Sequence, residues 1–330
     1  MFQSLHNPAQ AGHGETASSQ DRRAVLVLGG PTASGKSSLA VELAKALGGE
    51  IISADSMQIY RGLDIGTAKI RPVEMQGIPH YLLNIREVGE NYSVSDFSQD
   101  ALQKLAEIFQ RGHQPIICGG TGLYLKSLVD GIQYFGEGGQ NERREKIRAM
   151  IRERGLLEAH RQLAHLDPLA AKRISPQDEK RICRFFEVYE ECGLTQTEVY
   201  RKSREAGPAY RYRCFALMPE REKLYQRINE RCASMFDEGL EEEIKALIKD
   251  PEKLESQAFQ AIGYKEILPW MRGEMSREEA IETLSRQTRR YAKRQYSLFR
   301  SRPDFIPIKE SDPPLALKEI LEDFKAYTAE

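Results

Sequence analysis

The chain reads as an α/β protein built on a parallel sheet with crossover helices, interrupted by an all-helical insertion. Three observations predict this. An apolar run, Ala24–Leu28, enters the octapeptide Gly30-Pro31-Thr32-Ala33-Ser34-Gly35-Lys36-Ser37, and an amphipathic stretch with Leu39, Ala40, Leu43, Ala44 and Leu47 on one face follows it. Short apolar runs alternate with helical patterns as far as Val129, as expected of strands joined by crossover helices. Between Asn141 and Ser203, charged helical patterns broken by Pro168 and Pro176 contain no strand signal. Strand, glycine-bounded loop and helix is the context in which G-x-x-x-x-G-K-[ST] cradles phosphates, so a P-loop NTPase-like sheet is expected. Its glycines let backbone N–H groups converge on an anion, and the helix start adds about half a positive charge. Lys36 supplies a full charge to terminal phosphates, and the Ser37 hydroxyl is suited to a Mg2+ shell. A di- or triphosphate ligand follows.

The remaining elements are expected in this order. Glu50–Ala54 is a strand ending on Asp55. Asp96 to Phe109 is a helix, with Asp96 and Gln99 as a capping-box-like start and Phe97, Leu102, Leu105 and Phe109 sharing a face. Pro115–Cys118 is a strand running into Gly119-Gly120-Thr121-Gly122, and Gly136–Gln140 is a loop. Arg213–Leu217 returns to the sheet, followed by a helix from Glu220 to Phe236. Ser276 and Glu279 form a capping box that opens a long helix reaching Arg300, and Phe305–Ile308 is a last strand. The expected organisation is a disordered extension (1–21), a first part of the core (22–136), the helical insertion (137–205) and a second part of the core with basic helices (206–330).

Composition excludes several classes. The chain has 330 residues, a net charge of -1 and 40% hydrophobic residues, as in ordinary globular proteins of roughly two domains. It contains no apolar run near the ~20 residues a membrane span needs, and its first residues lack the apolar core of a secretory signal. Five scattered cysteines without a C-x-x-C pair fit reduced thiols and a cytoplasmic protein, and make no case for zinc. The charge is uneven: Arg286 to Arg302 holds seven basic residues and no acidic one, whereas Asp237–Glu243 and Glu310–Glu330 are acidic.

P-loop kinases place an aspartate at the end of a later strand to hold Mg2+. Here that strand ends in Cys-Gly-Gly-Thr, which disfavours a kinase. The nearest carboxylate with a defined place is Asp55, in Ser53-Ala54-Asp55-Ser56-Met57-Gln58-Ile59-Tyr60, at a strand end where open α/β sheets bind ligands. It is either a turn residue or a group that binds Mg2+ or takes a proton. Arg227 and Arg231 lie four apart on one helix face, as a solvated stripe or as anion ligands.

The octapeptide, with Ser53–Tyr60 continuing through Arg61-Gly62-Leu63-Asp64-Ile65-Gly66-Thr67-Ala68-Lys69, resembles tRNA dimethylallyltransferases. Further matching blocks are Gly119–Tyr124, Lys180–Arg184, Ala261–Glu266 and Thr288–Gln295, together spanning roughly residues 24 to 305. The resemblance implies transfer of a dimethylallyl group from dimethylallyl diphosphate to the exocyclic amine of the adenosine 3′-adjacent to the tRNA anticodon. It implies Asp55 as general base, Thr32 and Arg231 near the leaving diphosphate, and Mg2+ as cofactor; Arg221, at the start of the Arg231 helix, is expected to assist with the diphosphate. It implies tRNA contacts from Asp55, Ser56, Met57, Gln58, Thr121, Arg144 (or its neighbour Arg143), Lys180, Arg181, Ile182, Cys183 and Arg184. Gln260, Ala261, Ile262, Gly263, Tyr264 and Lys265 match a stretch contacting the tRNA core, where Gly263 permits close backbone approach. Arg290, Lys293 and Arg294 belong to a basic run that is either a nucleic-acid footprint or a solvated face. The pattern departs from the family at Gln177, at Phe185-Phe186 and at Leu298, where a tryptophan is usual. The partners implied are the tRNA anticodon stem-loop and dimethylallyl diphosphate, for a monomer without membrane association. An adenylate isopentenyltransferase, a small-molecule kinase and a non-catalytic tRNA-binding module are the rival readings. The basic helix disfavours the first, and an intact Lys36, Ser37 and Asp55 disfavours the last.

Overall fold

The computed structural model describes residues 23–132, 134, 141–249, 256–309 and 312–329. The expected extension and the Gly136–Gln140 loop lie outside them. Six parallel strands form one sheet in the order β3-β2-β4-β1-β5-β6. In chain order the elements are β1 (Ala24–Gly29), α1 (Lys36–Leu47), β2 (Gly49–Ser53), α2 (Pro72–Met75), β3 (His80–Tyr81), α3 (Val94–Gln110), β4 (Gln114–Gly119) and α4 (Gly122–Val129). The insertion follows as α5 (Asn141–Arg154), α6 (Leu156–Leu166), α7 (Pro168–Ala171), α8 (Glu179–Cys192) and α9 (Gln196–Ala206). The chain then returns through β5 (Arg211–Leu217), α10 (Arg221–Asp237), α11 (Leu240–Ile248), α12 (Leu268–Met271), α13 (Arg277–Arg300), β6 (Phe305–Ile308) and α14 (Pro313–Ala329).

β1 is buried along its whole length because both faces of the sheet are covered, which is why it reads as a continuous apolar run rather than an alternation. Leu26 and Leu28 pack with α1 and with Ala316, Ile320 and Phe324 of α14. Val25 and Val27 face the other core, built with α3, α4, α10 and α13. The insertion has a third core of its own, in which Ile147, Leu163, Ile182, Phe185 and Phe186 meet. Its two ends meet closely: a Cβ on Gly131 would stand 2.4 Å from the Gly207 carbonyl oxygen, and both glycines adopt left-handed φ.

Several expectations change. α3 begins one turn early: Ser93 caps it, and Asp96 is the returning carboxylate of the box rather than its first member. β3 and α14 were not expected as elements. Phe185 and Phe186 are buried against each other edge to face, so that departure serves packing. Leu298 lies over Gly122, where an added Cβ would come within 2.1 Å of it; it too is a packing group.

Candidate active site

The octapeptide closes over the C-terminal end of β1. Gly30 has φ +144°, and a Cβ there would press on the Leu217 carbonyl oxygen at 2.9 Å, so the first glycine is fixed sterically. Ala33 and Gly35 take left-handed φ of 62° and 92°. That alternation turns successive N–H groups to one side of the loop. Gly35, Lys36 and Ser37 open α1, whose first N–H groups have no acceptor within the helix. Two other loop N–H groups are spent internally: Ser34 donates to the Pro31 carbonyl (3.3 Å) and Thr32 to Gln295 Oε1 (2.9 Å).

A cavity of about 620 Å3 lies against this loop, lined by Thr32, Ala33, Gly35, Lys36 and Ser37. Gly30, Pro31 and Ser34 do not line it; they shape the loop, and the Ser34 hydroxyl is buried without a hydrogen bond. The same cavity collects Asp55, Ser56, Met57 and Gln58, then Arg227 and Arg231 from α10, Gln260 to Ile262, and Tyr291 and Arg294 from α13. Residues separated by more than two hundred positions thus line one cavity.

Lys36, Arg227, Arg231 and Arg294 bring positive charge to the cavity. Burial pushes the Lys36 ammonium down, opposed by Cys118 and Asp55 and reinforced by Arg231. Burial lowers the Arg231 guanidinium likewise, with Cys232 and Asp55 opposing. Arg231 donates through Nη2 to Thr32 Oγ1, while its Nε has no partner. Lys36 Nζ donates to the Pro31 carbonyl (3.2 Å). The Cys118 thiol, buried at the end of β4, is pushed up to about 11, which leaves it neutral and unreactive.

Asp55 follows β2. Its Oδ1 accepts the N–H of Met57 (2.9 Å) and, more weakly, of Gln58 (3.4 Å), which fixes the carboxylate at the head of the loop. The next turn is tied down by Thr121, whose Oγ1 accepts the Ser56 N–H at 3.0 Å. Burial, with Asp55 second, pushes up the phenol of Tyr291, which also meets Thr121. Gln58 Nε2 donates to the carbonyls of Thr67 and Ala68 (3.2 and 3.4 Å).

The absence of a carboxylate after β4 has a steric basis. A Cβ on Gly119 would stand 2.2 Å from the Ala54 carbonyl oxygen, and one on Gly120 would stand 2.3 Å from Gln295 Nε2. A side chain at 119 would overlap the Ala54 backbone, and one at 120 would displace the Gln295 amide.

The remaining expected residues lie as follows. Arg221 is exposed, stacks on Tyr225 and donates to its hydroxyl (3.0 Å); it does not line the cavity. Tyr264 is fully buried, donates to Glu243 Oε1 (2.7 Å) and covers Gly66, so its side chain is structural. Gly263 does allow close approach, but of Leu284 and the Gly66 backbone. Ile182 and Cys183 are buried in the insertion core, whereas Lys180 and Arg181 are exposed and Arg184 half-exposed. Arg181 pairs with Asp178, Arg184 with Glu187, and Lys265 donates to Gln260. Arg144 lies on α5, its side chain outside the described residues.

Along α13, Arg290 and Lys293 are exposed and have no ion-pair partner among the described residues, and Arg294 lies over the Tyr291 ring. Arg289 is engaged by Asn229 and Glu282. Arg302 grips Asp130 with two nitrogens and also pairs with Asp304, so it belongs to the scaffold rather than to the basic face.

Two residues were missed. Glu243 accepts the N–H groups of Asp64, Ile65 and Gly66 (2.9, 2.8 and 3.0 Å), fixing the turn after the Asp55 loop. Gln295 holds Thr32. Both act over long separations, for which the only sequence signal is their position inside an acidic run and a matching block.

A family model described as IPP transferase matches residues 58–302. The chain is 43% identical over 305 residues to a tRNA dimethylallyltransferase of Bacillus licheniformis, covering 92% of this chain and 96% of that one. It is 45% identical over 280 residues to one from Enterococcus faecalis, covering 84% and 89%. Among solved structures it is similar to a tRNA isopentenylpyrophosphate transferase of Bacillus halodurans, with a TM-score of 0.67, 38% identity and coverage of 92% and 96%. A eukaryotic dimethylallyltransferase solved acting on tRNA gives a TM-score of 0.75 at 28% identity, covering 87% of this chain and 74% of that one.

Proposed function

The chain belongs to the IPP transferase family, and we propose that it transfers a dimethylallyl group from dimethylallyl diphosphate to the exocyclic N6 amine of the adenosine 3′-adjacent to the anticodon of tRNA, releasing diphosphate. One observation supports this most: the Asp55 carboxylate lines the same cavity as Lys36, Arg231 and the phosphate-binding loop. The curated relatives act on tRNA by name, which sets aside the adenylate-directed rival.

The chemistry divides between the two walls. The allylic C–O bond breaks with its electrons going to diphosphate, and the amine nitrogen forms the new N–C bond. Thr32, Lys36, Arg231 and the N–H groups opening α1 take the growing negative charge. An adenine amine is a weak nucleophile because its lone pair is delocalised into the ring. Asp55 accepts its proton as the bond forms, a general-base role worth ~10² to 10⁴-fold. The Ser37 hydroxyl lines the cavity and is a hard oxygen donor of the kind Mg2+ takes beside phosphates. When bound, the ion would neutralise charge on the departing diphosphate.

The acceptor base leaves its stack before it reaches Asp55, which costs a few kcal/mol, least in a single-stranded loop. Gln58, Gln260 and Arg294 line the acceptor side, and Arg290 and Lys293 supply phosphate-directed charge nearby. Place of action is the cytoplasm, where tRNA is found; no helix among the described residues is long and apolar enough to cross a membrane.

The test is direct. Purified protein with Mg2+ and labelled dimethylallyl diphosphate is offered unmodified tRNA or AMP, and the product is located by mass analysis. A five-carbon addition on one anticodon-adjacent adenosine is expected. Label in AMP alone, or phosphate passed from ATP to a small molecule, overturns the assignment.

A further inference from the structure

Gln295 sits on α13 with only 5% of its surface exposed, and both ends of its amide are engaged. Oε1 accepts the Thr32 N–H at 2.9 Å, and Nε2 donates to the Gly120 carbonyl at 2.9 Å. The amide therefore bridges the phosphate-binding loop and the strand end after β4. Thr32 is held a second time through its hydroxyl, which accepts from Arg231. The Thr32 N–H is thus spent on the protein, so this residue meets an anion by its side chain, whose direction the backbone restraint sets. In the five residues before it on the same helix, Arg290, Lys293 and Arg294 are exposed. Gly120 lies against the amide: a Cβ there would overlap Nε2 at 2.3 Å and push it aside.

We propose that Gln295 is a positioning residue for the donor half of the site, fixing Thr32 through its amide so that the helix facing RNA also sets the loop that receives diphosphate. This rests on the reading of the cavity as a dimethylallyl diphosphate site. It makes a specific demand: disturbing the amide harms handling of the diphosphate and leaves RNA docking alone.

The test uses the full chain, wild type and two variants. Gln295→Glu keeps the shape and the acceptor for Thr32, but turns a carboxylate oxygen toward the Gly120 carbonyl and brings negative charge to the anion loop. Gly120→Ala displaces the same amide from the opposite side without altering its chemistry. Steady-state kinetics with each substrate varied in turn, together with the Kd of inorganic pyrophosphate by calorimetry, read the effect. Both variants are expected to raise the KM for dimethylallyl diphosphate and the pyrophosphate Kd about tenfold, the scale of one buried polar contact misplaced. The KM for tRNA and the salt slope of tRNA binding should stay at wild-type values, which also shows that each variant is folded. An unchanged pyrophosphate Kd in folded variants, or equal losses for both substrates, overturns the positioning role. Failure of the wild-type protein to prenylate tRNA would instead overturn the functional reading, and pyrophosphate binding would still report on Gln295.

Discussion

Replacing Glu243 by alanine should loosen the loop that carries the acceptor side of the site. The carboxylate receives four donors: the N–H groups of Asp64, Ile65 and Gly66 and the Tyr264 hydroxyl. Water can replace the acceptor at the exposed Asp64 N–H, whereas the other three donors are partly buried. Leaving a buried donor unsatisfied costs about 1–3 kcal/mol, so three at the lower bound give about 3 kcal/mol. Relaxation of the turn keeps the sum near that bound. Urea unfolding at a constant slope should show this loss, and Glu243→Gln, which retains an acceptor oxygen, should lose less. The 64–68 turn also presents the carbonyls that hold Gln58, so the KM for tRNA should rise while that for dimethylallyl diphosphate changes little. A destabilisation below about 1 kcal/mol would refute the clamp.

Three further outcomes follow from the geometry. Asp55→Asn keeps an oxygen for the Met57 N–H but cannot take a proton, so turnover should fall ~10² to 10⁴-fold with tRNA affinity nearly kept; single-turnover rates near wild type would remove the general base. Arg290→Ala combined with Lys293→Ala should weaken tRNA binding and flatten its dependence on log salt, whereas an unchanged slope would make α13 a solvated face. Glu50, gripped by Arg111, Tyr81 and His113, has its carboxyl lowered from 4.5 to about 2. Its stabilising contribution is complete above the unfolded value and is lost as pH falls from 4.5 toward about 2, so Glu50→Gln should flatten acid unfolding in that window.

Where one local pattern decided an element, it was legible in the chain. Ser276 and Glu279 announce α13 because a capping box is a three-residue relation. The same rule misplaced the start of α3: Ser93 with Asp96 is a shorter-armed box, and reading Asp96 as its first residue shifts it by one turn. β3 has two residues, His80 and Tyr81, too few to show any period. α14 carried a signal that its acidic composition masked, since Ala316, Ile320 and Phe324 recur every four residues and all are buried. At the site, the loop and Asp55 were readable because their motif is contiguous. Gln295 and Glu243 were not, since their partners lie 263 and 177–179 positions away and only the folded sheet brings them together. The burial of Ile182 and Cys183 was readable from the period of α8, whereas that of Tyr264, which lies on no long helix, was not.

The meeting of Gly131 and Gly207 bears on how such a protein is assembled from parts. A segment that departs and re-enters through a single doorway imposes no change of register on the strands either side of it. Its length and surface can diverge freely, and the sheet that carries the cavity need not be redrawn when they do. Replacing 132–206 by a short linker should therefore leave a framework able to fold around the cavity, which far-UV circular dichroism and urea unfolding would check.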